Sequence, residues 1–195
     1  MMAARLLAST LLAAAALLPG WTAAASPAAA GDAGQQALAA YQAAHGDSGR
    51  LRQALALADQ ALREAPGDTG LRLLRADIQT GLRQYTQALA DYRQLPDAGL
   101  AAERKMLQCM LRERVQPAPL PLDCYAEASR RFAAGQAAPG RDPNYVMALL
   151  LARDPQGPRL AAELLAATPA GPQREINAML FQDFDRNRYL RSVLP

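Results

Sequence analysis

The sequence predicts an all-α protein made of antiparallel helix hairpins, and three observations predict it. Apolar residues recur at three- and four-residue spacing, and no stretch alternates apolar with polar as a half-buried strand would. Proline and glycine punctuate the chain between those stretches, where they end one helix or open the next. A pattern of small residues also returns at a fixed interval: Ala54 to Ala88 is 34 residues (88 − 54), as is Ala58 to Tyr92 (92 − 58).

The first element is an export signal. Residues 1–5 supply a short basic start with Arg5, and residues 6–18 form an apolar run. Pro19 and Gly20 break that run, and Ala23, Ala24 and Ala25 offer a small-residue cleavage site. This order reads as a secretory signal peptide over residues 1–25. The apolar run is well short of the roughly 20 residues a spanning helix needs, and no later segment is apolar for longer. No cysteine follows the cleavage site to carry a lipid anchor. An Ala-, Arg- and Pro-rich composition points to a GC-rich bacterial genome, hence a periplasmic or secreted product.

Residues 26–34 read as a linker, and helices begin after it. The spacing predicts helices over residues 35–44 (Leu38 and Tyr41 inward), 50–65, 70–81 and 85–95. Ala54, Ala58 and Ala61 form a stripe poor in side-chain bulk, flanked by Leu51, Leu55 and Leu62, so a neighbouring helix can approach closely. Pro66 and Pro96 close the second helix of each pair. On these residues the stretch 35–96 resembles two tetratricopeptide repeats, with Tyr85 three residues before Ala88. It departs from that pattern in an insertion at residues 45–49, in Arg72 and Ala76, and in an early Pro96. The resemblance implies a short solenoid whose concave face takes a protein partner. Its register implies a groove of Tyr41, Gln42, Arg72, Arg75 and Gln79, solvent-exposed, with the arginines available to carboxylates.

Residues 97–138 read as a third hairpin, with helices over 100–115 and 124–134 on either side of a Pro-rich stretch. Cys109 and Cys124 are the only cysteines. In an exported chain an even pair reads as a disulfide, here stapling two helices across that stretch. Residues 139–195 read as a C-terminal helical cap. Asp142-Pro143, Gly157-Pro158 and Gly171-Pro172 each open a helix, the last placing Ile176, Met179, Leu180 and Phe184 on one face.

Catalytic and metal motifs are poorly matched. Gly46-Asp47-Ser48-Gly49 resembles the nucleophile segment of a serine protease, but the single histidine, His45, sits in the same turn. Asp183, Asp185 and Asn187 start like a calcium loop, yet Arg188 and Leu194 occupy its glycine and glutamate positions. That stretch reads instead as a polar part of the last helix. Two cysteines and one histidine, with no zinc-site spacing, leave too few metal ligands. No cofactor motif appears. After removal of residues 1–25, 20 basic side chains face 18 acidic ones (21 − 1 against 18), and no basic run interleaves with aromatics, so nucleic acid is not an expected partner.

The sequence therefore predicts no enzyme but an exported adaptor or scaffold that binds another protein. The alternative is an immunity-type inhibitor of a toxic effector. A toxin-like neighbouring gene would favour the inhibitor, and envelope-assembly neighbours the adaptor. The mature chain is expected to begin near Ser26. Mass spectrometry of the exported product checks this, and an intact Met1 on that product would contradict it.

Overall fold

The computed structural model describes residues 31–195; the signal-peptide reading lies outside them. The described residues form ten α-helices and no strand, and the all-α expectation holds. The helices are α1 (Asp32–Ala44), α2 (Ser48–Glu64), α3 (Thr69–Gly81), α4 (Tyr85–Arg93) and α5 (Ala102–Val115). They continue as α6 (Leu122–Ala133), α7 (Pro143–Ala152), α8 (Gly157–Ala167), α9 (Pro172–Phe181) and α10 (Arg186–Val193). Each helix from α1 to α8 packs against the next in sequence, because short connections turn the chain back. Among the described residues no helix is long and apolar enough to cross a membrane.

Local chemistry sets the boundaries. The Asp47 carboxylate accepts from the Arg50 N–H at 2.8 Å and caps α2, so the protease-like Gly46–Gly49 stretch is a capped turn. His45 and Gly46, both at positive φ, end α1 before it. Asp68 caps α3 and Asp142 caps α7 in the same way, the latter ahead of Pro143 at the first helical position. Proline also stands in the first turn of α8 and α9, as the Gly-Pro pairs predict.

The last helix is not continuous. Asp183 takes a left-handed conformation (φ 52°), and the Asp185 carboxylate accepts from the Arg188 N–H to start α10. The Asp183–Asp185 stretch is thus a break between helices, not part of one. The predicted apolar face is met in part: Leu180 and Phe184 are half-buried against the core, whereas Ile176 and Met179 are exposed and Asn177 and Phe181 are buried. With the chain turned after Phe181, Leu190 and Leu194 beyond the break are buried in the core as well.

Small residues carry the helix contacts. Ala54, Ala58, Ala76, Ala88, Ala128 and Ala148 are all fully buried, which brings backbones close and leaves little side-chain bulk between them. One apolar cluster gathers α1 to α3 around Leu51, Leu74 and Ile78. A larger one runs from Ala76 to Leu194, crossing both predicted segment boundaries, after 96 and after 138.

Two polar devices close the C-terminal half. The buried Glu113 carboxylate of α5 accepts two hydrogen bonds from Arg186 of α10, at 2.6 and 2.7 Å, and one from the Tyr125 hydroxyl at 2.8 Å. Burial pushes the Tyr125 phenol above its ordinary pKa, helped by the neighbouring Glu113. Beyond α10, the Tyr85 hydroxyl donates to the Pro195 carbonyl at 2.6 Å and Arg114 donates to the Leu194 carbonyl at 3.2 Å, fastening the chain end to α4 and α5.

The expected disulfide is present. It joins Cys109 on α5 to Cys124 on α6, with Cα atoms 5.6 Å apart and a sequence separation of 15. A loop of that length should contribute about 3 kcal/mol. Reduction is expected to lower the urea midpoint accordingly. Identical unfolding curves for the reduced and oxidised chains would contradict this.

Candidate binding site

The site begins with α3, whose two sides look at different helices. The Arg75 guanidinium donates to both oxygens of Asp91 on α4, at 2.8 and 2.5 Å, and to Asp59 on α2 at 3.0 Å. Asp91 is buried, so the pairing is what allows its charge inside the fold. Hydrogen bonding to Asp91 in turn holds the Arg75 guanidinium above its ordinary pKa. Arg72 donates to the Gln94 side chain at 2.6 Å and to the Pro66 carbonyl, and stands 3.8 Å from Asp91.

Asp77 lies two residues beyond Arg75, about 200° around the helix, and meets other partners. It is salt-bridged to Arg104 of α5. Burial raises its carboxyl pKa, and the Arg104 guanidinium opposes that shift. Tyr41 of α1 is on this side: its phenol is raised by burial and then by the Asp77 charge.

The five groove positions therefore do not form one surface. Tyr41 is half-buried beside Asp77 and Arg104, and Gln42 is exposed on α1. Arg72 and Arg75 turn toward α2 and α4, where internal acceptors engage them. Gln79 is buried, and its side-chain oxygen has no hydrogen-bond partner. The expectation that both arginines stand free in solvent is corrected. Helical spacing gives each residue's angle about its own axis, but not which neighbouring helix will bear an acid.

Two clefts open where α3 and α5 meet the helices flanking them. The smaller, about 240 Å³, lies between α2 and α3 and is lined by Asp59, Leu62, Arg63, Pro66, Arg72 and Arg75. The larger, about 500 Å³, lies among α4, α5 and α6. Its floor is the buried Leu89 and the disulfide-bonded Cys124, and its wall is a stripe of Lys105, Gln108, Arg112 and Gln116 along α5. Arg93 of α4 faces that stripe, and Asp123 and Glu127 of α6 complete the rim.

Several of these charges are already matched. Lys105 donates to Asp97 at 2.6 Å, which Arg131 also contacts at 3.0 Å, and the Lys105 hydrogen bond lowers the Asp97 carboxyl pKa. Glu127 pairs with Arg130 and Arg131. Arg93 and Arg112 differ. Both are exposed, and among the described residues neither has a carboxylate within 4.0 Å. The Gln108 side-chain oxygen, between Lys105 and Arg112 along α5, is buried and has no donor among the described residues. The cleft offers two guanidinium groups and one acceptor, a set suited to hydrogen bonding and ion pairing.

Sequence reasoning missed Arg93, Lys105, Gln108 and Arg112. Their signal was present: positions 105, 108 and 112 share one helical face and are polar throughout. Among the described residues no cluster of three or more His, Cys, Asp or Glu side chains could hold a metal ion. The chain matches no protein-family model, no curated protein and no solved structure.

Proposed function

We propose that the chain is an exported adaptor, a short tetratricopeptide-like stack of helix hairpins that holds a partner protein through the cleft among α4, α5 and α6. The register of buried positions supports the stack. Ala54 and Ala58 of α2 correspond at an interval of 34 to Ala88 and Tyr92 of α4, and all four are fully buried. An interval of 33 takes the start of α3 (Thr69) to that of α5 (Ala102, 102 − 69), and takes buried Ala76 and Ile78 to buried Cys109 and Leu111.

The observation that carries the binding reading is the unmatched charge of the cleft. Among the described residues Arg93 and Arg112, which both line the cleft, have no carboxylate within 4.0 Å. Interfaces favour arginine because its planar fork makes paired hydrogen bonds, and a concave site lets several such contacts act together. Export supplies the setting, a compartment in which a disulfide-stapled scaffold persists.

The test is capture by the tagged, disulfide-bonded chain from periplasmic extract, comparing the parent with the double variant Arg93→Glu/Arg112→Glu. Both side chains are exposed and unpaired, so the variant should fold with stability within about 0.5 kcal/mol of the parent. A protein retained by the parent and lost from the variant is the expected outcome. Equal retention by both, or none by the parent, would refute this reading.

A further inference from the structure

The ligand chemistry of the cleft follows from comparing it with the smaller cleft one hairpin earlier. The intervals that align the buried positions also align three lining positions of the two clefts. Asp59 corresponds to Arg93 (59 + 34), Arg72 to Lys105 (72 + 33) and Arg75 to Gln108 (75 + 33), and all six residues line their respective clefts.

Between α2, α3 and α4 the chain fills the position itself. Arg75 at the centre receives one carboxylate from α2 and one from α4. One hairpin later both carboxylates are gone. The α2 acid is replaced by the cation Arg93. For the α4 acid, an interval of 37 takes buried Ala88, Tyr92 and Leu95 to buried Tyr125, Ser129 and Phe132, and therefore Asp91 to Ala128 (91 + 37). The central guanidinium becomes the Gln108 amide, whose oxygen is buried and has no donor. Arg112, one turn along α5, adds a second unmatched cation. Of the acids on the rim, Glu127 is taken by Arg130 and Arg131, and Asp123 stands in the first turn of α6, where the helix N-terminus offsets its charge.

The missing component is a carboxylate. We infer that the cleft among α4, α5 and α6 receives an acidic side chain of an extended segment of a partner protein. Its carboxylate lies on Arg93 and Arg112. A cleft of about 500 Å³ is within the size range of ligand sites and is wide enough for a side chain with its flanking backbone. This inference rests on the adaptor reading and names the chemistry of its site.

The experiment is NMR titration of the disulfide-bonded chain with a short acetylated, amidated peptide carrying two aspartates, beside its asparagine twin and inorganic phosphate. The aspartate peptide is expected to shift the Gln108 side-chain amide resonances and leave those of Gln60, which is bonded to Glu64 on α2, unmoved. The asparagine twin should bind at least tenfold more weakly, as should the aspartate peptide to Arg93→Glu/Arg112→Glu. Arg191→Glu, an exposed change on α10, should bind as the parent does. Equal binding of the twins, full affinity in the double variant, or displacement by phosphate at equal concentration would each overturn the inference. The two proposals fail separately. A partner captured through these arginines but not displaced by the acidic peptide leaves the adaptor standing and removes the ligand, and peptide binding without any captured protein does the reverse.

Discussion

One guanidinium ties the N-terminal half together. Arg75 joins α2 through Asp59 and α4 through Asp91, so three consecutive helices share a single polar centre. The alanine contacts make this possible and necessary. With Ala54, Ala58, Ala76 and Ala88 fully buried, the backbones approach closely but contribute little apolar area of their own. A buried carboxylate at that seam would be strongly unfavourable alone, and the paired fork of Arg75 makes it tolerable. Polar pairing of this kind fixes which helix faces which, where apolar packing of small side chains would permit sliding.

The C-terminal half meets the same requirement with different chemistry. The Cys109–Cys124 disulfide links α5 to α6 covalently, and the Arg186–Glu113–Tyr125 cluster brings α10 back onto them. With those constraints in place, the position between α4 and α6 no longer needs an internal ion pair to hold its helices. Arg93 and Arg112, which line it, have no carboxylate within 4.0 Å among the described residues, whereas Lys105 and Glu127 keep internal partners.

Much of the fold was legible in the sequence, for identifiable reasons. Short-range signals were dependable: Asp142-Pro143 opens α7, the Gly-Pro pairs open α8 and α9, and the alanine spacing marks the contacts of α2 and α4. The cysteine pairing followed from an even number of cysteines in a chain read as exported. Failures came where a tertiary partner or a single backbone angle decides. Asp183 at positive φ splits what periodicity reads as one helix, so Leu190 and Leu194 beyond the break are buried in the core while Ile176 and Met179 on α9 stay exposed. Arg72 and Arg75 have the spacing of a solvent-facing stripe, and only the acids on neighbouring helices show them to be internal. The polar stripe from Lys105 to Arg112 was visible as a stripe, but its meaning depends on Arg93, which comes from another helix.

The dependence of the fold on Arg75 is tested most directly by a double-mutant cycle between Arg75→Met and Asp91→Ala, measured by urea unfolding. Each single change leaves a charge behind, Asp91 without its fork or Arg75 with Asp59 alone, whereas the double change removes both. The structure predicts that the double variant is more stable than the sum of the two losses implies, by at least about 1.5 kcal/mol, within the range found for residues in one ionic network. Losses that add to within about 0.5 kcal/mol, as they do for independent sites, would contradict the claim that this ion pair organises the helices.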